Sequence, residues 1–395
     1  MVTVNSFWVK FFHIIYMFVW LIMDMNPGQE NFKYFFWIMP IGFSFLIFHA
    51  NGYKVRKETF IFWQQLLYNV FFLFVALVAL IINEYYILDL RDILRNMFVI
   101  AYAFLLLNTD STENKDFYVD SIFIACILDT IIRYSSRFTI ANILSINFFD
   151  SYSPFELHLA HEYAFIFIYY YRRRKFKHAI LAVIMSYLTL KRIHILFVIA
   201  ICILGPFIKD IRVSNLMINV GKLGFMLSPT IMTFFISPGF VNWFESTFDV
   251  SFRIFTMTRF EQMVTISSYE GSLLGPQAVE QFLIRINYGV TCHSDLFRIY
   301  FETTIIGLAL YVNSFFNMLK VNRNIFSLLA TLLLFLSMFA SLNLNRSHTY
   351  LILYFLYCVD FDAATREDEL NKARRLKSIT YSGFSFKLNR FDKVK

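Results

Sequence analysis

An all-α, polytopic integral membrane protein is the fold class this chain of 395 residues predicts, and three observations carry that reading. Apolar residues make up 58% of the chain and charged residues only 16%, so a water-soluble fold would have more apolar side chains than a core can bury. Apolar runs near twenty residues long recur from Phe7 almost to Val359, the length a helix needs to cross a hydrocarbon layer of about 30 Å. Alternate connections between these runs are basic, as expected if Lys and Arg resist translocation. A water-soluble enzyme is excluded.

Twelve segments read as spans, at roughly 7–23, 34–50, 60–82, 93–108, 117–132, 158–171, 178–190, 193–208, 223–238, 296–319, 325–341 and 349–360. The first carries Lys10 and His13 and leads into Asp24-Met25-Asn26-Pro27, not a small-residue cleavage site, and so reads as an uncleaved span. With the N-terminus inside, the cytoplasmic connections collect Lys54, Arg56 and Lys57, the block Arg172-Arg173-Arg174-Lys175-Phe176-Lys177, Lys209, Arg212 and Lys222, Lys320 and Arg323, and the basic tail. Both termini are therefore expected in the cytoplasm. The connection 108–116 runs against this pattern, because Asp110, Glu113 and Asp116 outnumber Lys115, but acidic residues carry little topogenic weight. The formal net charge of +8 is thus a product of topology and implies no nucleic-acid partner.

The chain divides into spans one to nine (1–238), a large outer loop (239–295), spans ten to twelve (296–360) and a basic cytoplasmic tail (361–395). A second outer connection, 133–157, is long enough to hold structure, and the stretch 250–266 has the amphiphilic pattern of a helix lying on the membrane surface. Cys126, Cys202, Cys292 and Cys358 have neither disulfide nor zinc spacing. The 50 Phe and 23 Tyr are spread through every span, which fits lipid-facing filling better than a cofactor box.

Ionisable groups at membrane depth are costly, so those that remain are functional candidates. Lys191-Arg192-Ile193-His194 interrupts the apolar stretch 179–207, as either a cationic break between two helices or an ordinary interfacial turn with snorkelling side chains. His293 precedes Ser294 and Asp295, fair N-caps for the next span; the positive end of that helix would keep the imidazole neutral and able to accept a proton. Asp295, Arg298 and Glu302, at spacings of three and four, share one helical face and could form a surface salt-bridge ladder. Arg253 and Arg259 in the large loop present guanidinium forks suited to phosphate oxygens, although loop arginines are commonly just solvated; Arg346 and His348 belong to the same weak class. Asp89 and Asp92 resemble an acidic metal dyad only superficially, so no metal or cofactor is expected. Trp243 and Tyr269 are possible stacking platforms, with interface anchoring the competing role for the tryptophan.

The string His293-Ser-Asp-Leu-Phe-Arg-Ile-Tyr-Phe-Glu302-Thr-Thr-Ile-Ile-Gly307-Leu resembles the ending of the last long outer loop in bacterial O-antigen polymerases of the Wzy type and the related O-antigen ligases. Arg259 upstream of Leu274-Gly275-Pro276, and Leu188-Thr189-Leu190-Lys191-Arg192 at the start of a span, are similar to further motifs of that superfamily, so that the likeness covers roughly 153–311. Lys191 departs from a small residue, and Thr303-Thr304 from Leu-Gly. The resemblance implies a GT-C-like helical glycosyltransferase of the bacterial inner membrane whose site faces the periplasm. Its substrate would be an oligosaccharide on undecaprenyl pyrophosphate, with a separate co-polymerase setting chain length. Arg192 and Arg259, joined by Arg253, would bind the pyrophosphate, and His293 would lie beside the acceptor hydroxyl, with Glu302 or Glu261 as alternative base or as orienter. A pyrophosphate leaving group needs cations more than an acid, while the acceptor hydroxyl needs a base and positioning. The polymerase is the leading expectation, with an O-antigen ligase or a lipid-linked oligosaccharide flippase as alternatives.

Overall fold

The computed structural model describes residues 2–25, 32–55, 59, 62–109, 115–147, 153–155, 160–209, 211–249, 251–252, 259–288, 292–340 and 348–358. They are helical almost throughout and form no strand; an isolated β-bridge joins Arg212 to Asn324. In chain order the first helices are α1 (Val2–Met25), α2 (Phe32–Ala50), α3 (Phe62–Ile82), α4 (Arg91–Thr109), α5 (Lys115–Tyr134) and α6 (Ile140–Leu144). They continue as α7 (Ala160–Arg172), α8 (Phe176–Thr189), α9 (Arg192–Ile208), α10 (Asn215–Phe235) and α11 (Pro238–Phe248). The last are α12 (Arg259–Ser267), α13 (Ala278–Arg285), α14 (Asp295–Asn322), α15 (Ile325–Ala340) and α16 (His348–Cys358).

Every segment read as a span lies largely on a helix. Three of them, in α3, α4 and α14, are long and apolar enough to cross a membrane, and the pair α10 and α11, bent by 75° at Ser237-Pro238, makes a fourth if taken as one span. The bend makes the start of the segment 239–295 helical. Ser237 caps a new helix through the Phe240 N–H, and Pro238 supplies a first-turn residue whose missing N–H costs nothing there. A surface rich in exposed apolar side chains, among them Ile81, Phe207, Leu216 and Phe234, fits a membrane-embedded protein.

Two short helices form the centre. His161–Tyr170 of α7 and all of α16 are buried on every side, which is why neither shows a polar face in the sequence. The connections at each end of the bundle associate with one another. At one end Asn83 donates to the Ser272 carbonyl (2.9 Å) and Gln281 bonds both ways with the Ile87 backbone. At the other, Arg173 pairs with Asp116 (2.9 Å), Lys175 with Asp120 (3.5 Å), and Arg323 donates to Asn215. The connection 133–157 holds a 3₁₀ turn at Ser135–Arg137 and α6, and is tied back by Arg137 to the Pro154 carbonyl. Of the amphiphilic stretch 250–266, only its end is described as a helix, α12. Met263 and Ile266 of that helix pack with Phe282 and Leu283 and with Ile236 and Phe297 at the ends of α10 and α14, so α12 turns its apolar face to the protein and not to a membrane surface.

α14 packs against α3, α10, α13 and α15 and is broken near its first third. Thr304 has φ 63° and ψ −179°, a region that glycine enters freely and a β-branched residue does not. The carbonyl of Glu302, released from the helical ladder, accepts the Gly275 N–H at 3.0 Å. Gly275 itself has φ 108° and lies against Tyr86 and Ala79, which leave no room for a Cβ. A span can break inside a membrane only where protein satisfies the freed backbone groups, and this loop does so. Threonine thus stands where glycine would be unstrained. Thr304→Gly is expected to stabilise the chain by about 1–3 kcal/mol, seen as a raised melting temperature in detergent, whereas Thr304→Val is not; equal or lower stability of the glycine variant would show the break to be unstrained.

Candidate functional site

Just before the break, Ser294 caps α14 by accepting the Phe297 N–H, which aims Asp295, Arg298 and Glu302 along one face. The stripe is not the surface ladder that its spacing allowed. Arg298, Asp295 and Glu302 are all buried, and α4 and α13 add two further carboxylates. Arg298 Nη2 donates to Asp92 Oδ2 at 3.0 Å, while Glu280, Asp295 and Glu302 stand 3.7, 3.7 and 4.0 Å from the guanidinium. Arg95, 3.9 Å from Asp92, is the second cation recorded in ion-pair contact with these five residues.

Four carboxylates thus converge on the Arg298 guanidinium, and one of them, Asp92, also reaches Arg95. Burial pushes the Glu280 carboxyl above its ordinary range and Arg298 opposes the shift, with Asp295 and Asp92 adding repulsion. Glu302 Oε1 accepts the Val279 N–H, its Oε2 has no hydrogen-bond partner among the described residues, and Gln277 bonds to Asp92. Each carboxylate except Asp295 therefore also anchors the loop segment 275–292, since Glu280 accepts the Cys292 N–H at 3.0 Å. Burial pushes the Cys292 thiol up to about 12, so it is no nucleophile at neutral pH.

His293 is half-buried immediately before the cap. Its N–H donates to Gln262 Oε1 at 3.2 Å, which places α12 beside it. Arg259 opens α12 one helical turn before Gln262, so its backbone comes to the His293 neighbourhood, although its side chain lies outside the described residues. Arg253, Arg346 and the tail 361–395 also lie outside them. Arg192 begins α9 after a left-handed Leu190 ends α8, so the cationic interruption is indeed a helix break. α9 packs on α7, α8 and α15, and His194 in its first turn meets His161 of α7 at 3.1 Å. The structure therefore gathers His293, Glu302 and the start of α12 at one place and builds Arg192 into another group of helices. The Asp89 and Asp92 side chains have separate partners, Arg91 and Arg298, and no cluster of three or more His, Cys, Asp or Glu suited to a metal occurs among the described residues.

Sequence reasoning missed the roles of Asp92, Glu280 and a polar interior beside them. Gln65, Tyr68 and Asn69 of α3 face Tyr311, Tyr350 and Tyr354 across a cavity of about 20 Å³, room for a single water. Tyr354 donates to Gln65, and the Tyr311 and Tyr350 hydroxyls bond at 2.8 Å. The signal was the polar string Gln64-Gln65 and Tyr68-Asn69 inside an apolar run. Comparison with protein-family models, curated proteins and solved structures gives no match.

Removing one partner of a buried ion pair leaves the other charge uncompensated, at a cost of about 3–5 kcal/mol. Arg298→Met should accordingly fail to accumulate or melt far below the parent, with Asp92→Asn milder, as read by expression and thermal denaturation in detergent. The Glu280 effect has a definite sign. A carboxyl whose folded pKa is raised contributes stability fully below its unfolded value of about 4.3. That contribution is lost as pH rises through the folded value. Glu280→Gln fixes the neutral form, so its melting temperature relative to the parent should climb as pH goes from about 4 to 8; a pH-independent difference would contradict the assignment.

Proposed function

We propose that the chain is a membrane glycosyltransferase that polymerises lipid-linked saccharide repeats, passing the growing chain from undecaprenyl pyrophosphate to an incoming unit on the periplasmic face of the bacterial inner membrane. Twelve spans in a GT-C-like arrangement, with both termini cytoplasmic, belong to the same proposal. The observation that carries it is the meeting of His293, the capped start of α14 and the start of α12, which brings two of the motifs of the superfamily resemblance to one place under one loop. His293 is the acceptor base in this reading and Arg259 and Arg253 are the pyrophosphate cations, while Arg192, which α9 places among α7, α8 and α15, falls outside this site. Glu302 is a positioning residue, because its carboxylate is covered and holds the Val279 N–H. An anionic pyrophosphate would be repelled by the acidic cage, so it belongs above the cage, on the loop side.

A flippase for the same lipid-linked units is the second reading, and one observation favours it. The sequence suggested that the spans carry few charges, yet a broken helix with buried carboxylates and an arginine at the break is an architecture of transporters. The two readings, and the ligase, differ in what accumulates when the protein fails. Loss of a polymerase leaves single capped repeats, loss of a ligase leaves long carrier-bound chains, and loss of a flippase leaves units on the cytoplasmic side.

Arg259→Ala and His293→Ala should each abolish long-chain polysaccharide, by more than about tenfold as expected for loss of a transition-state cation or base, while membrane accumulation stays normal. Lys at 259 should restore activity only in part, since it keeps the charge and loses the fork. Chain length of the parental kind in both alanine variants, on gel analysis of surface glycans, would remove the site assignment. Chain growth should also persist in excess chelator.

A further inference from the structure

Beside the cage the loop builds a second feature that the catalytic reading does not use. The connection between α3 and α4 meets the segment 269–285, and its walls are fixed by Asn83 to the Ser272 carbonyl and by the Gln281 amide, which donates to the Ile87 carbonyl (2.7 Å) and accepts the Ile87 N–H (3.0 Å). Between those walls the Arg285 guanidinium lies over the Tyr85 ring, 4.2 Å from its centroid, and 5.7 Å from that of Tyr269. Arg285 Nη2 also donates to the Tyr269 hydroxyl at 3.2 Å, and Tyr269 packs on Phe282 with centroids 4.5 Å apart. The result is a layered stack of planar groups around a depression of about 20 Å³, too shallow to enclose a molecule. Tyr85 is 64% exposed.

Three ligand classes compete for such a surface. A phosphate would find one guanidinium already stacked and hydrogen-bonded, with exposed Glu84 and Glu270 adjoining the two tyrosines in the chain. A lipid tail would desolvate Asn83, Gln281 and Arg285 with nothing to replace their water. A saccharide satisfies both halves, since the C–H face of a pyranose ring covers an aromatic face while its hydroxyls reach amide, phenol and guanidinium groups at the rim. Tyrosine held in place supplies amphipathic contact area at little entropic cost.

We propose that Tyr85, Tyr269 and Arg285, flanked by Asn83 and Gln281, form a saccharide-binding platform on the loop side of the bundle, distinct from the His293 site. Under the reading given above it holds sugar residues of the repeat next to the reacting end, but saccharide binding itself does not require that reading. The test uses the purified full chain in detergent and, as probe, oligosaccharides from partial acid hydrolysis of the native host's surface polysaccharide, followed by saturation-transfer NMR. The parent should bind, Tyr85→Ala and Arg285→Ala should each weaken binding by about three- to tenfold, as loss of one aromatic or cation–π contact does, and Tyr85→Phe should bind like the parent. Melting temperature confirms that these exposed substitutions leave the fold intact. No binding by the parent, equal binding by Tyr85→Ala, or displacement of the glycan by millimolar inorganic phosphate would overturn the platform. Glycan binding without any chain growth in cells would instead overturn the polymerase and leave the platform standing.

Discussion

A single guanidinium group inside the bundle decides how the outer loop sits on the membrane-embedded helices. Arg298 joins α4, α13 and α14 because only a charged, five-donor group can gather carboxylates from three elements, and because burying it without them would be prohibitive. Once Asp92 and Glu280 have converged on it, the segment 275–280 is drawn over the break in α14. The break and the cage need each other. The released Glu302 carbonyl needs the Gly275 N–H, and the loop supplies that donor only where the cage holds it.

How much of this was legible in the sequence follows from the range of the interactions. The helices were legible, because apolar run length is a local property, and so was the break at Leu190-Lys191-Arg192, where cations interrupt such a run. The same-face placement of Asp295, Arg298 and Glu302 was also legible from spacing alone. Their burial was not. Spacing fixes a face, while what the face meets depends on Asp92 and Glu280, which lie 206 residues before and 18 residues before Arg298 in the chain. The same limit hid the bend at Ser237-Pro238, since an apolar α11 continues the composition of α10 while changing its direction.

Thr304 shows how a departure from a motif acquires physical meaning only with backbone angles attached. In the sequence Thr303-Thr304 is a mismatch to Leu-Gly. In the fold it is a β-branched residue held where glycine would be unstrained, and its hydroxyl accepts the Ile306 N–H at 3.3 Å to restart the helix. Gly307, one turn further on, sits against the Thr303 side chain so closely that a Cβ has no space.

The electrostatics also divide the region into layers with different tasks. Below the cap, clustered carboxylates and buried phenols make an interior that disfavours anions. Above it, His293 and the Tyr85–Arg285–Tyr269 stack offer donors and aromatic faces, with Glu84, Glu261 and Glu270 beside them. The lower layer has space for little more than a water molecule, so the part of the cage is to hold the loop in place over the broken helix.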